Sequence, residues 1–117
     1  MKQNNLLDRI PQVNKEWKLL KNNIVEVKVE NKGFFHTLAQ KLYKKPRFSY
    51  IELDAYGSFV WQQIDGQKTI YEIGQLLAKE HEGAANQLYE RLGKYMAILA
   101  RNKYILLKTN YEMRNKT

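Results

Sequence analysis

The 117-residue sequence predicts an α+β fold: a three-stranded antiparallel sheet near the N-terminus, a three-helix bundle, and a short C-terminal strand. Three observations predict it. Residues 24–29 and 48–53 show the period of two that suits half-buried strands. Two short helices are marked by caps, at Asp54 and at Thr69 with Glu72, and stop at Gly66 and Gly83. A longer stretch, 84–102, carries an apolar stripe at helical spacing and leads into an aliphatic segment.

In chain order, residues 1–16 are polar, with Leu6, Leu7, Ile10 and Val13 scattered around Pro11, and read as a partly ordered arm. Residues 17–20 and 24–29 form a hairpin about the turn Lys21-Asn22-Asn23, with Val25, Val27 and Val29 on the buried face. Asn31-Lys32-Gly33 breaks the second strand. Phe34, Phe35, Leu38 and Leu42 then fall on one side of a basic amphipathic helix that Pro46 closes by about residue 45. This extra helix stands between the second and third strands.

The third strand, 48–53, feeds a helix capped by Asp54, whose stripe is Tyr56, Phe59, Val60 and Ile64 and whose end is Asp65-Gly66. Thr69 and Glu72 stand three apart as a capping box ahead of Ile73, Leu76 and Leu77. In the long helix Leu88, Leu92, Tyr95, Met96 and Leu99 form the core stripe with Tyr89 at its margin, and Ile98 lies outside it beside Arg91 and Asn102. Residues 103–108 read as the last strand. The domain reading is an arm over 1–16, one domain over 17–108 and a frayed tail over 109–117.

This length suits one domain with one core. No run approaches the roughly 18 apolar residues of a membrane span, and no signal-peptide core follows the N-terminal residues, so a cytoplasmic protein is expected. The absence of cysteine excludes disulfides and thiolate metal sites and leaves His36 and His81 as the only strong nitrogen ligands, so neither a metal nor a cofactor is expected. Ser58 lacks the glycine frame of a nucleophile elbow, and no Gly-rich phosphate loop occurs. An enzyme is not expected.

The net charge of +8 raises nucleic acid as a partner. Its distribution argues against it: residues 1–53 hold 11 Lys/Arg against 5 Asp/Glu, 54–102 hold 5 against 6, and 103–117 hold 4 against 1. A helix-turn-helix gripping phosphates needs its basic charge in the helical half.

The order of strand, Leu-Asp junction, short helix ending in Asp65-Gly66, Thr69-Ile70-Tyr71-Glu72-Ile73 helix, long helix and final aliphatic strand resembles PqqD-like proteins, also called RiPP recognition elements. The resemblance covers about residues 17–107 and rests mainly on 51–77. It implies a winged-helix-like domain that binds the leader of a precursor peptide, by backbone pairing to the third strand and side-chain contacts from the third helix. Carried over, the peptide-binding residues are Tyr50, Ile51, Glu52 and Leu53 on the strand and Arg91, Tyr95, Ile98 and Asn102 on the helix. The implied partner is a separate modifying enzyme of radical-SAM or cyclisation type.

The expected function is therefore a non-catalytic domain that recruits a leader peptide by strand addition. Two alternatives stand beside it. One is a DNA-binding winged helix reading with Gln87, Glu90, Arg91 and Lys94. The other is a docking module using the basic segment 33–45. The sequence leaves the oligomeric state open.

Overall fold

The computed structural model describes residues 6–30, 47–80 and 87–109. Among these residues the fold is α+β, with antiparallel sheets and three α-helices. The strands are β1 (Ile10–Val13), β2 (Trp17–Leu19), β3 (Val25–Glu30), β4 (Phe48–Glu52) and β5 (Ile105–Lys108). The helices are α1 (Ala55–Gln63), α2 (Ile70–Glu80) and α3 (Leu88–Arg101). The helix expected over 34–45 and the glycine stop at Gly83 lie outside the described residues, as do both histidines and the tail from 110. The chain divides into two compact units, 15–58 and the remainder, with the boundary inside α1.

In the first unit β2, β3 and β4 form a three-stranded sheet in that order. The β2–β3 hairpin turns where expected, with Asn22 and Asn23 both at positive φ, a region that asparagine tolerates better than most residues. Val25 and Val27 are fully buried. The end of the β3–β4 ladder has a feature that sequence does not announce. The Leu53 N–H donates to the Val25 carbonyl at 2.9 Å, but the reciprocal bond is bridged: the Val25 N–H donates to the Ser58 hydroxyl at 2.8 Å, and that hydroxyl donates to the Leu53 carbonyl at 3.2 Å. Ser58 is 1% exposed, and its hydroxyl satisfies the buried Val25 N–H and the part-buried Leu53 carbonyl. Asp54 caps α1 as expected, its Oδ1 accepting from the Gly57 N–H at 2.7 Å.

The second unit opens with a 3₁₀ turn, Leu6–Asp8, and β1, which pairs antiparallel with β5. The segment read as an arm thus contributes a strand. Pro11 fits there for a reason of register. Asn14 donates its N–H to the Tyr104 carbonyl, which makes Gln12–Leu106 a hydrogen-bonded pair and Pro11–Leu107 a non-hydrogen-bonded one. The missing proline N–H therefore costs no ladder bond.

Helix α1 buries Val60 and Ile64 as its stripe predicts, and also Trp61 at 1% exposure, which the stripe leaves out. Its exit turns at Gly66, whose φ is +78°. Asp65 closes that turn by accepting from the backbone of Gln67 and Lys68, both at 2.9 Å, and from the Lys68 ammonium at 2.8 Å. Those bonds, led by the ammonium, hold the Asp65 carboxyl down to about 2. The capping box forms in both directions: Thr69 N–H to Glu72 at 2.8 Å and Glu72 N–H to Thr69 at 3.1 Å.

Helices α2 and α3 pack through Ile70, Ile73, Leu77, Leu88, Leu92, Met96 and Leu99, all buried. Tyr89 stacks on Tyr71 with centroids 5.2 Å apart. It reaches that place because Gly74 has no side chain; a Cβ there would stand 2.4 Å from the Tyr89 ring.

Helix α3 ends within a residue of the expected position, but the turn that follows it differs from expectation. Residues 103 and 104, read as strand, instead close the helix: the Tyr104 N–H bonds the Leu99 carbonyl, the Lys103 N–H bonds that of Ala100, and Lys103 takes φ +66°. This pair of bonds is a Schellman motif with lysine where glycine is usual. No helix among the described residues is long and apolar enough to cross a membrane.

Candidate functional site

The site begins with the position of β4. It pairs with β3 on one side, and among the described residues no strand pairs with it on the other. The register places Glu26 opposite Glu52, Val27 opposite Ile51 and Lys28 opposite Tyr50. Since Leu53 and Val25 face each other as a hydrogen-bonded pair, alternation makes Ile51–Val27 another. The N–H and C=O groups of Ile51 and Leu53 are thus turned toward β3. Those of Phe48, Tyr50 and Glu52 are turned to the outer edge.

The four strand residues expected to bind peptide are therefore divided. Tyr50 and Glu52 offer backbone groups at the edge, whereas Ile51 and Leu53 have only side chains to offer. Tyr50 is 58% exposed and Ile51 40%, so both are accessible for a strand residue of their size. Leu53 is half-buried.

Alternation also sorts the side chains by face. Trp17, Val27 and Ile51 form one row across the sheet, in which Val27 is fully buried and its two neighbours are more than one-third exposed. The opposite face carries Glu16, Lys18, Glu26, Lys28, Phe48, Tyr50 and Glu52. A shallow depression of about 230 Å³ on the sheet is lined by Trp17, Lys28 and Tyr50 with three further charged residues. The Lys28 ammonium sits 4.2 Å from the centre of the Phe48 ring, with the Arg47 guanidinium at 5.6 Å. The sequence alone does not associate Phe48, Trp17 and Lys28 with Tyr50, because alternation within one strand does not reveal the register between strands.

On α3, Arg91, Tyr95, Ile98 and Asn102 follow one another at spacings of four, three and four, and so share one face. Arg91 and Asn102 are exposed, Tyr95 is half-buried, and Ile98 is 51% exposed. Asn102 closes the helix, donating both its backbone N–H and its Nδ2 to the Ile98 carbonyl. The strand set belongs to one compact unit and the helix set to the other. Among the described residues no group of three or more His, Cys, Asp or Glu is placed to hold a metal ion.

Among the described residues β4 is therefore an edge strand, with an exposed tyrosine and outward main-chain groups, on a small α+β protein. Comparison with known families adds an assignment. The family model described as coenzyme PQQ synthesis protein D (PqqD) matches residues 45–105, and the chain belongs to the PqqD family. The match runs from the approach to β4 through α3 and includes every expected site residue, while the β2–β3 hairpin lies before it. No curated protein and no solved structure gave a significant match.

Proposed function

We propose that this protein is a non-catalytic peptide-binding partner in a biosynthetic route, holding the leader of a precursor peptide as an added strand on the outer edge of β4. A separate enzyme, of the radical-SAM type that the family resemblance implies, then modifies the peptide. The winged-helix-like arrangement and a cytoplasmic setting belong to the same reading. The observation that carries it is the edge position of β4 among the described residues, with the main-chain groups of Tyr50 and Glu52 turned outward.

The chemistry asked of the protein is positioning. Main-chain bonds to Tyr50 and Glu52 supply affinity that is indifferent to sequence, and neighbouring side chains supply selectivity. The face of Arg91, Tyr95, Ile98 and Asn102 is proposed independently as a peptide-contacting surface, in line with the family resemblance. Family membership supports an accessory role.

The test is a titration of isotope-labelled protein with the leader of a precursor peptide encoded beside its gene. The amides of Tyr50 and Glu52 should shift more than those of Ile51 and Leu53. Shifts confined to the segment 33–45 would replace this reading with a docking module, and a salt-sensitive complex with random duplex DNA would replace it with nucleic-acid binding.

A further inference from the structure

We infer that the bound peptide carries a basic residue directly abreast of Glu52, and that Glu52 sets the register in which the peptide docks. The inference rests on the proposed strand addition and deepens it, because it names the chemistry of the segment that the edge selects.

The observation is an imbalance in the charge rows of the sheet. On the face that carries Glu52, Lys18 lies 3.9 Å from Glu26, Lys28 lies 3.4 Å from Glu16, and Arg47 lies 3.5 Å from Glu30. Each of these carboxylates has its cation. Glu52 is exposed, and among the described residues no cation lies within ion-pairing distance of it. It also stands directly opposite Glu26, in a non-hydrogen-bonded pair. Such pairs bring Cα atoms to about 4.5 Å, and like charges placed so are unfavourable. The row across the sheet therefore runs Lys18, Glu26, Glu52, and stops one cation short.

An incoming strand is the element that can complete this row. The N–H and C=O of Glu52 point outward, so a strand added antiparallel places one residue directly across from it, with its side chain on the same face and its Cα about 5.5 Å away. A lysine or arginine there reaches the carboxylate and relieves its repulsion with Glu26. Neighbouring positions follow from the same register. The residue abreast of Ile51 lies on the face of Trp17 and Val27 and is apolar. The one abreast of Tyr50 packs against an exposed ring. The overall charge of +8 does not oppose this, since long-range attraction acts on the whole peptide and Glu52 on a single position.

The experiment selects a displayed library of random ten-residue peptides on the full-length protein, and in parallel on Glu52→Lys and Glu52→Gln. Both substitutions fall on an exposed edge residue, and far-UV circular dichroism checks that the fold is kept. A cross-strand charge pair changes affinity by about 1.5- to 5-fold, which repeated rounds of selection compound. On the unaltered protein one position should become enriched in Lys and Arg, on Glu52→Lys the same position should turn to Asp and Glu, and on Glu52→Gln the preference should vanish. The preference should also weaken as salt rises. If selected peptides shift the Tyr50 and Glu52 amides but charge preference is the same on all three proteins, the role of Glu52 is refuted and strand addition stands. If no peptide emerges, or those that do leave these amides unmoved, both fall together.

Discussion

Replacing Ser58 by alanine removes one hydroxyl and leaves the buried Val25 N–H and the part-buried Leu53 carbonyl without the partner that bridges them. An unmade bond at a buried group costs about 1–3 kcal/mol. Counting both groups as fully buried sets an upper range of about 2–6 kcal/mol, which the partial exposure of the Leu53 carbonyl and relaxation both reduce. Val25 and Leu53 already share one direct bond, at 2.9 Å, so the ladder can partly close over the gap and recover about 1 kcal/mol. The expected loss is therefore about 1–4 kcal/mol, a large part of the stability of a small domain. Urea denaturation should show a lower midpoint at unchanged slope. Hydrogen exchange should locate the damage in the amides of Val25 and Leu53. Because this junction anchors the C-terminal end of β4, peptide affinity should fall too. A loss below about 0.5 kcal/mol, or one with no change at those amides, would refute the claim that the hydroxyl completes the ladder.

Other expectations concern the turns and helices. Gly74→Ala forces the Tyr89 ring away from Tyr71 and should destabilise by about 1–3 kcal/mol, with tyrosine near-UV circular dichroism changing alongside the denaturation midpoint. Lys103→Gly relieves a lysine held at positive φ and should raise stability by up to about 1 kcal/mol, read by thermal denaturation. The Asp65 carboxyl should titrate at about 2 by carbon NMR, and Lys68→Ala should move it upward. Since the folded state lowers this value, the stabilisation is present above the ordinary carboxylate range and is lost as pH falls from about 4 toward 2. Lys68→Ala should diminish that acid sensitivity, only modestly because the pair is exposed.

What the sequence disclosed and what it withheld divide along a physical line. The Asp54 cap, the Thr69–Glu72 box and the Asp65-Gly66 stop were legible because each is a contact between residues two or three apart. The hairpin about Asn22-Asn23 was legible because asparagines and alternating valines point the same way. Pairing of β1 with β5 was not, since Ile10-Pro11-Gln12-Val13 has no alternation and its partner lies more than ninety residues on. The sequence shows that Ser58 lacks a nucleophile's setting but does not show it as a bridge, because its partner Val25 is 33 positions away.

The candidate site was legible in part for a similar reason. The sequence marks residues 48–53 as a strand, yet Phe48, Tyr50, Ile51 and Leu53 put apolar groups on both parities. Only the register with β3 shows which main-chain groups face outward. On α3 the exposure of Ile98 followed from the helical wheel, whereas the commitment of Asn102 to the helix end did not. The lysine in place of a glycine at 103 hid the turn that closes α3, so the strand expected there begins two residues too early.

Amide hydrogen exchange along β4 tests the central claim most directly, because it needs no knowledge of the peptide. In the free protein the amides of Tyr50 and Glu52 should exchange rapidly while those of Ile51 and Leu53 are protected by β3, and a bound leader should slow the first pair alone. Equal protection of all four in the free protein would mean that the outer edge is already paired, leaving an added strand no place to bind.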